Sequence, residues 1–64
     1  MKVNGKNLSL GDNKNILSLL EYFNLNEEQV VVEVNFEIIE SEKYKNYILT
    51  EEDIIEVISF VGGG

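Results

Sequence analysis

Residues 54–61, Ile-Ile-Glu-Val-Ile-Ser-Phe-Val, carry only two polar side chains, Glu56 and Ser59, and run straight into Gly62-Gly63-Gly64. A strand that is apolar on both faces belongs in the middle of a sheet, because an edge or half-wet strand would alternate more cleanly. Alternation points Ile55 and Val57 to one face and Glu56, Ile58 and Phe60 to the other. The first face calls for a covering helix, and the second is left for something else. In 64 residues there is room for one domain, which buries only about 60% of the surface its unfolded chain exposes. With no cysteine to staple it, the fold rests on a small core of branched aliphatic side chains. That favours a compact α+β arrangement.

The rest of the chain supplies the neighbours. Met1 and Val3 alternate with Lys2, and Leu8 and Leu10 alternate with Asn7 and Ser9, as a half-buried strand pair does. Asn4-Gly5 between them suits the positive φ of a tight hairpin turn. Asn15 is placed to cap a helix whose apolar face is Ile16, Leu19, Leu20 and Phe23, with Leu17 near its edge and Ser18 and Glu21 on the wet side. Asn24 suits the left-handed residue that ends a helix, and Leu25 the fold-back over its last turn. Val30, Val32 and Val34 are the buried side of the clearest strand, residues 30–35. Residues 36–39 read as a short return strand, residues 41–44 as one helical turn capped by Ser41, and residues 47–49 as a further short strand. The acidic segment at 50–53 is a turn before the last strand. The expected fold is therefore a β-grasp: a mixed sheet of four to five strands, one main helix on one face, and the first and last strands parallel at the centre. The expected organisation is a domain over residues 1–61 and a flexible tail over 62–64.

Composition removes several classes of function. Without His or Cys, the commonest general base and the thiol nucleophile are missing, and no remaining Ser, Lys or carboxylate falls into a catalytic spacing. The expectation is a non-enzyme with no metal site. Twelve acidic against five basic residues give a net charge of −7, which opposes nucleic-acid binding and suits steering toward a basic protein partner. No segment approaches the roughly 18 apolar residues of a membrane span, and the N-terminus has no apolar signal core, so a cytoplasmic protein is expected.

The tail carries the chemistry. Glycine has no Cβ, so Gly62-Gly63-Gly64 suits a narrow channel that brings main chain against a catalytic surface. The terminal carboxylate of Gly64 is sterically open at its carbon, and ATP activation to an acyl-adenylate would let a sulfur or nitrogen nucleophile displace AMP. Terminal glycines often mark only a frayed end. Here they follow the central strand of a β-grasp pattern without a spacer, which favours a working tail.

Val3-Asn4-Gly5-Lys6, Asn15-Ile16 with Leu19-Leu20, Val32-Glu33-Val34-Asn35, Glu37-Ile38-Ile39 with Tyr44, and Ile55-Glu56-Val57 through Phe60-Val61-Gly62-Gly63-Gly64 resemble the ThiS family in order and spacing. These are the ubiquitin-like sulfur carriers of thiamine thiazole synthesis. The resemblance implies that a ThiF-like adenylyltransferase activates the Gly64 carboxylate. A persulfide donor such as a cysteine desulfurase relay then leaves a thiocarboxylate, and a ThiG-like thiazole synthase takes its sulfur. The carrier itself would bind no cofactor, ATP belonging to its partner. Three positions depart from the family pattern: Phe36 replaces a small or polar residue, Glu40-Ser41 replaces a common Pro-Arg, and Glu52-Asp53 replaces the usual Gly-Asp turn. A basic contact at Glu40-Ser41 is therefore not carried over.

Ile58, Phe60, Val61 and Val31 are the expected docking patch, flanked by Glu33 and Glu56. Other readings of the same pattern are a MoaD-like small subunit of molybdopterin synthase, a protein-conjugating ubiquitin-like modifier, and a plain β-grasp interaction domain with an inert tail.

Overall fold

The computed structural model describes residues 1–12 and 14–60. It contains strands β1 (Lys2–Val3), β2 (Lys6–Asn7), β3 (Val30–Val34), β4 (Glu37–Ile39) and β5 (Ile54–Ser59), one α-helix, α1 (Ile16–Tyr22), and 3₁₀ helices at Glu27–Gln29 and Ser41–Asn46. The strands form one mixed sheet in the order β2-β1-β5-β3-β4. β5 is central, parallel to β1 on one side and antiparallel to β3 on the other. This is the expected β-grasp arrangement.

Two asparagines extend the pairing of β5, Asn4 at Val57 in its middle and Asn35 at Ile54 where it begins. Asn4 (φ 52) and Gly5 (φ 83) make the tight turn between β1 and β2. β1 leaves the sheet there, and the Asn4 side chain takes over its pairing with β5: Val57 N–H donates to Asn4 Oδ1 at 2.8 Å, and Asn4 Nδ2 donates to Val57 O at 3.3 Å. Where β5 begins, Asn35 (φ 51) opens the turn after β3. Its Oδ1 accepts from Ile54 N–H at 2.9 Å and its Nδ2 donates to Asp53 Oδ1 at 3.0 Å. Asp53 Oδ2 accepts from Thr50 N–H at 2.8 Å, closing the turn that feeds β5. A primary amide carries an acceptor oxygen and an NH2 donor, so the Asn4 side chain stands in for a strand's backbone opposite Val57, whereas Asn35 lends β5 only its acceptor and gives its NH2 to Asp53.

α1 packs on one face. Asn15 caps it by accepting from Ser18 N–H at 2.8 Å, and ties it to the second 3₁₀ helix by donating to Lys45 O at 2.9 Å. The helix ends as its sequence indicates. Asn24 takes φ 58, Asn24 N–H donates to Glu21 O at 3.0 Å, and Leu25 N–H folds back to Leu20 O at 2.8 Å. Ile16, Leu19 and Leu20 meet Val3, Val30, Val32, Val34 and Ile55 in the core, joined by Met1, Tyr44 and Leu49. Burial holds the Tyr44 phenol above its ordinary pKa of 10.0, opposed by a hydrogen bond with the Val32 main chain and reinforced by the charge of Glu27.

Local expectations differ from the structure at several points. Phe23 is not core: the helix stops at Tyr22, and the ring stands 41% exposed, edge-on to Tyr22 at 5.0 Å. Ser18 is half-buried rather than wet, its hydroxyl donating to Asn15 Oδ1. β2 ends at Asn7, with Leu8 and Leu10 only half-buried beyond it. Ser41 caps nothing; the chain enters the 3₁₀ helix one residue earlier, from an extended Glu40, and the helix runs on to Asn46. Residues 47–49 form no strand, only a single bridge from Ile48 to Asn15, because Tyr47 O and Leu49 N–H pair with Ile16 and Lys14 at the start of α1. Phe36 lies outside β4 in the preceding turn at φ 72, where a bulky side chain costs about 1–3 kcal/mol of backbone strain.

Ile55 is 0% exposed at the sheet centre, whereas Ile58, on the same strand, is 55% exposed. Ile55→Ala should therefore cost about 2–5 kcal/mol. That is a large share of the roughly 3–10 kcal/mol expected for 64 residues. Ile58→Ala should cost less than about 0.5 kcal/mol. Urea unfolding of the two variants measures both.

Candidate functional site

The sheet has two unlike faces. α1 covers the one bearing Val30, Val32, Val34, Ile55 and half-buried Val57. The other is covered by no element among the described residues and bears Val31 and Glu33 from β3, Ile38 from β4, and Ile54, Glu56 and Ile58 from β5. Register brings these into rows: Val31 opposes Ile58, and Glu33 opposes both Glu56 and Ile38. At the tail end, Phe60 N–H donates to Gln29 O at 3.1 Å, which carries the β3–β5 pairing one residue past Ser59.

Three of the four expected docking residues are thus brought together. Val31 and Ile58 are cross-strand partners, and Phe60 follows two residues on, 60% exposed. The flanking acids are also where alternation placed them. Val61 and the tail residues Gly62, Gly63 and Gly64 lie outside the described residues. What the structure does describe is the platform before them, a central strand held on the β3 side up to Phe60 and on the β1 side as far as Val57.

Three exposed apolar residues near or on this face escaped the sequence reading: Ile38 at 69%, Phe36 at 79% and Ile54 at 42%. Ile38 was findable, since Glu37 and Ile39 flank it and a β3–β4 hairpin forces it to the face of Glu33. Phe36 was hidden by its β propensity, which suggested a strand where Asn35 had already begun a turn. A separate shallow groove lies between the β1–β2 turn and the end of α1. Lys6 is the one charged residue among those lining it, with Tyr22, Phe23 and Leu25 on the helix side. Among the described residues no group of three or more acidic side chains is arranged to hold a metal ion, and no helix is long and apolar enough to cross a membrane.

A five-stranded β-grasp with one face open among the described residues, whose central strand is followed in sequence by Gly62-Gly63-Gly64, defines a small ubiquitin-like class. Comparison with known proteins narrows it. The ThiS family profile matches residues 1–64. The sulfur carrier protein ThiS of Bacillus subtilis (strain 168) is 40% identical over 65 residues, covering 100% of this chain and 98% of that protein. The crystal structure of the thiamine biosynthesis protein ThiS from Geobacter metallireducens superposes with a TM-score of 0.78 at 32% identity, covering 98% of this chain and 96% of that one. A solution structure of a thiamine biosynthesis protein from the same organism gives 0.79 at 32% identity, covering 98% and 85%. The chain belongs to the ThiS family.

Phe60→Asp places a charge in the exposed patch without touching the core. The variant should keep the parent's unfolding midpoint within a degree or two, yet bind an adenylating enzyme at least about tenfold more weakly. Calorimetric titration and thermal unfolding of the same samples read both; equal affinity would remove the patch from the interface.

Proposed function

We propose that this chain is a sulfur carrier of thiamine biosynthesis, and that its reactive group is the carboxylate of Gly64. The observation that supports this most strongly is the full-length likeness to a protein named as a sulfur carrier, on a fold whose central strand leads into Gly62-Gly63-Gly64. Molybdopterin synthase's small subunit shares the general form, but the likenesses described above are to thiamine proteins. They favour the thiazole route.

The division of labour follows from the chemistry of the chain. It has neither His nor Cys, so it supplies an acid and a handle while its partners supply catalysis. A ThiF-like enzyme joins the Gly64 carboxylate to the AMP part of ATP, releasing pyrophosphate. The terminal sulfur of a persulfide donor attacks the activated carbon and AMP leaves. A second thiol reduces the acyl disulfide so formed, leaving a thiocarboxylate on the carrier and a disulfide on the donor side. A ThiG-like thiazole synthase then takes the sulfur. Gly62 and Gly63 have no side chain to obstruct a partner's channel. The carrier holds no cofactor of its own in this scheme, and Val31, Ile58 and Phe60 on the open face, with Val61 next in the sequence, dock the activating enzyme.

Removal of Gly63-Gly64 tests the assignment of the reactive end. Incubated with the adenylating enzyme, ATP and a persulfide donor, the parent should gain the mass of one oxygen-to-sulfur exchange. The truncated chain should gain nothing while unfolding at the parent's temperature. A sulfur gain that survives truncation would move the reactive group elsewhere, and an isopeptide adduct on a lysine would make the chain a modifier.

A further inference from the structure

The turn between β3 and β4 combines two features that the isolated fold does not need. Phe36 occupies a left-handed backbone conformation, φ 72, that bulky side chains oppose, and its ring is 79% exposed. Glycine would complete the same Asn-Gly turn without the steric conflict. The ring contributes little burial in return. Two residues on, Ile38 projects from the open face, 69% exposed and opposite Glu33. Ile54, 42% exposed, begins β5 beside Asn35. The open side of the sheet therefore has an apolar end near the tail, with Val31, Ile58 and Phe60, and another near Phe36. Glu33 and Glu56, directly opposed across β3 and β5, lie between them. Like charges facing each other across a sheet weaken it, and a cation brought by a partner would relieve them.

Area decides whether one partner spans both ends. A stable interface takes about 800 Å² from each protein, roughly a sixth of the 4549 Å² this molecule exposes. Val31, Ile58 and Phe60 supply only part of that, and a tail that enters the partner's channel does not widen the contact on the sheet face. From Ile54 to Phe60, β5 extends about 20 Å, so a partner seated at the tail and covering such an area crosses the glutamate pair and reaches the far end. We infer that Phe36 and Ile38 are a second anchor for the adenylating enzyme that docks on Ile58 and Phe60, received in an apolar pocket beyond an Arg or Lys that meets Glu33 and Glu56. This inference rests on the docking proposed above.

The test compares the parent with F36G, I38S, F60D and the double variant E33Q/E56Q, each titrated with the ThiF-like adenylating enzyme and melted alone. F36G should melt a few degrees higher than the parent yet bind about tenfold more weakly. I38S should bind several-fold more weakly at an unchanged melting temperature. E33Q/E56Q should flatten the salt dependence of association. Parent-like affinity of F36G and I38S, with F60D weakened, would overturn the second anchor and leave the tail-end docking intact. Parent-like affinity of F60D would instead remove the docking itself. A lowered melting temperature for F36G would contradict the inference, since the ring would then belong to the fold. An unchanged salt dependence in E33Q/E56Q would remove the basic contact.

Discussion

Everything in this molecule depends on β5 being held from both sides. β1 pairs with it in parallel for two residues, and β3 pairs antiparallel along its whole length. Where the parallel partner runs out, the Asn4 side chain continues it, and where β3 turns away, the Asn35 side chain lends an acceptor to the start of β5. A chain with no disulfide and a small core thereby immobilises the strand that leads to its tail. Burial of Ile55 behind that strand ties the same residues to α1, so the strand and the core stand or fall together.

The arrangement also explains how one small domain serves two purposes. Side chains alternate across β5, so the inner set is committed to the core and the outer set is free. Ile55 and Val57 do structural work, while Ile58 and Phe60 stay exposed on a face that no element among the described residues covers. The net charge of −7 biases encounters toward basic partners.

Most of the fold was legible because its strongest signals are local and redundant. Val30, Val32 and Val34 alternate cleanly, Asn4-Gly5 and Asn24 mark positive φ, and residues 54–59 are apolar on both sides; each of these survives in the structure. The misreadings fall where tertiary pairing overrides local preference. Residues 47–49 have strand-like composition, but their main chain is taken by the start of α1. Phe36 has strand propensity, yet Asn35 has already turned the chain. Ser41 is a good cap residue placed one position too late. Of the candidate site, Val31, Ile58 and Phe60 were readable from period-two alternation alone, whereas Ile38 required the β3–β4 register and Phe36 required knowledge of the turn.

The central claim is that this platform delivers one main-chain carboxylate for sulfur loading. Fragmentation mass spectrometry of the carrier, after incubation with its adenylating enzyme, ATP and a persulfide donor, locates the sulfur directly. The account predicts a single oxygen-to-sulfur exchange confined to the fragment ending in Gly64. Sulfur found on an internal side chain, or a Gly64 fragment unchanged while sulfur is gained elsewhere, would contradict it.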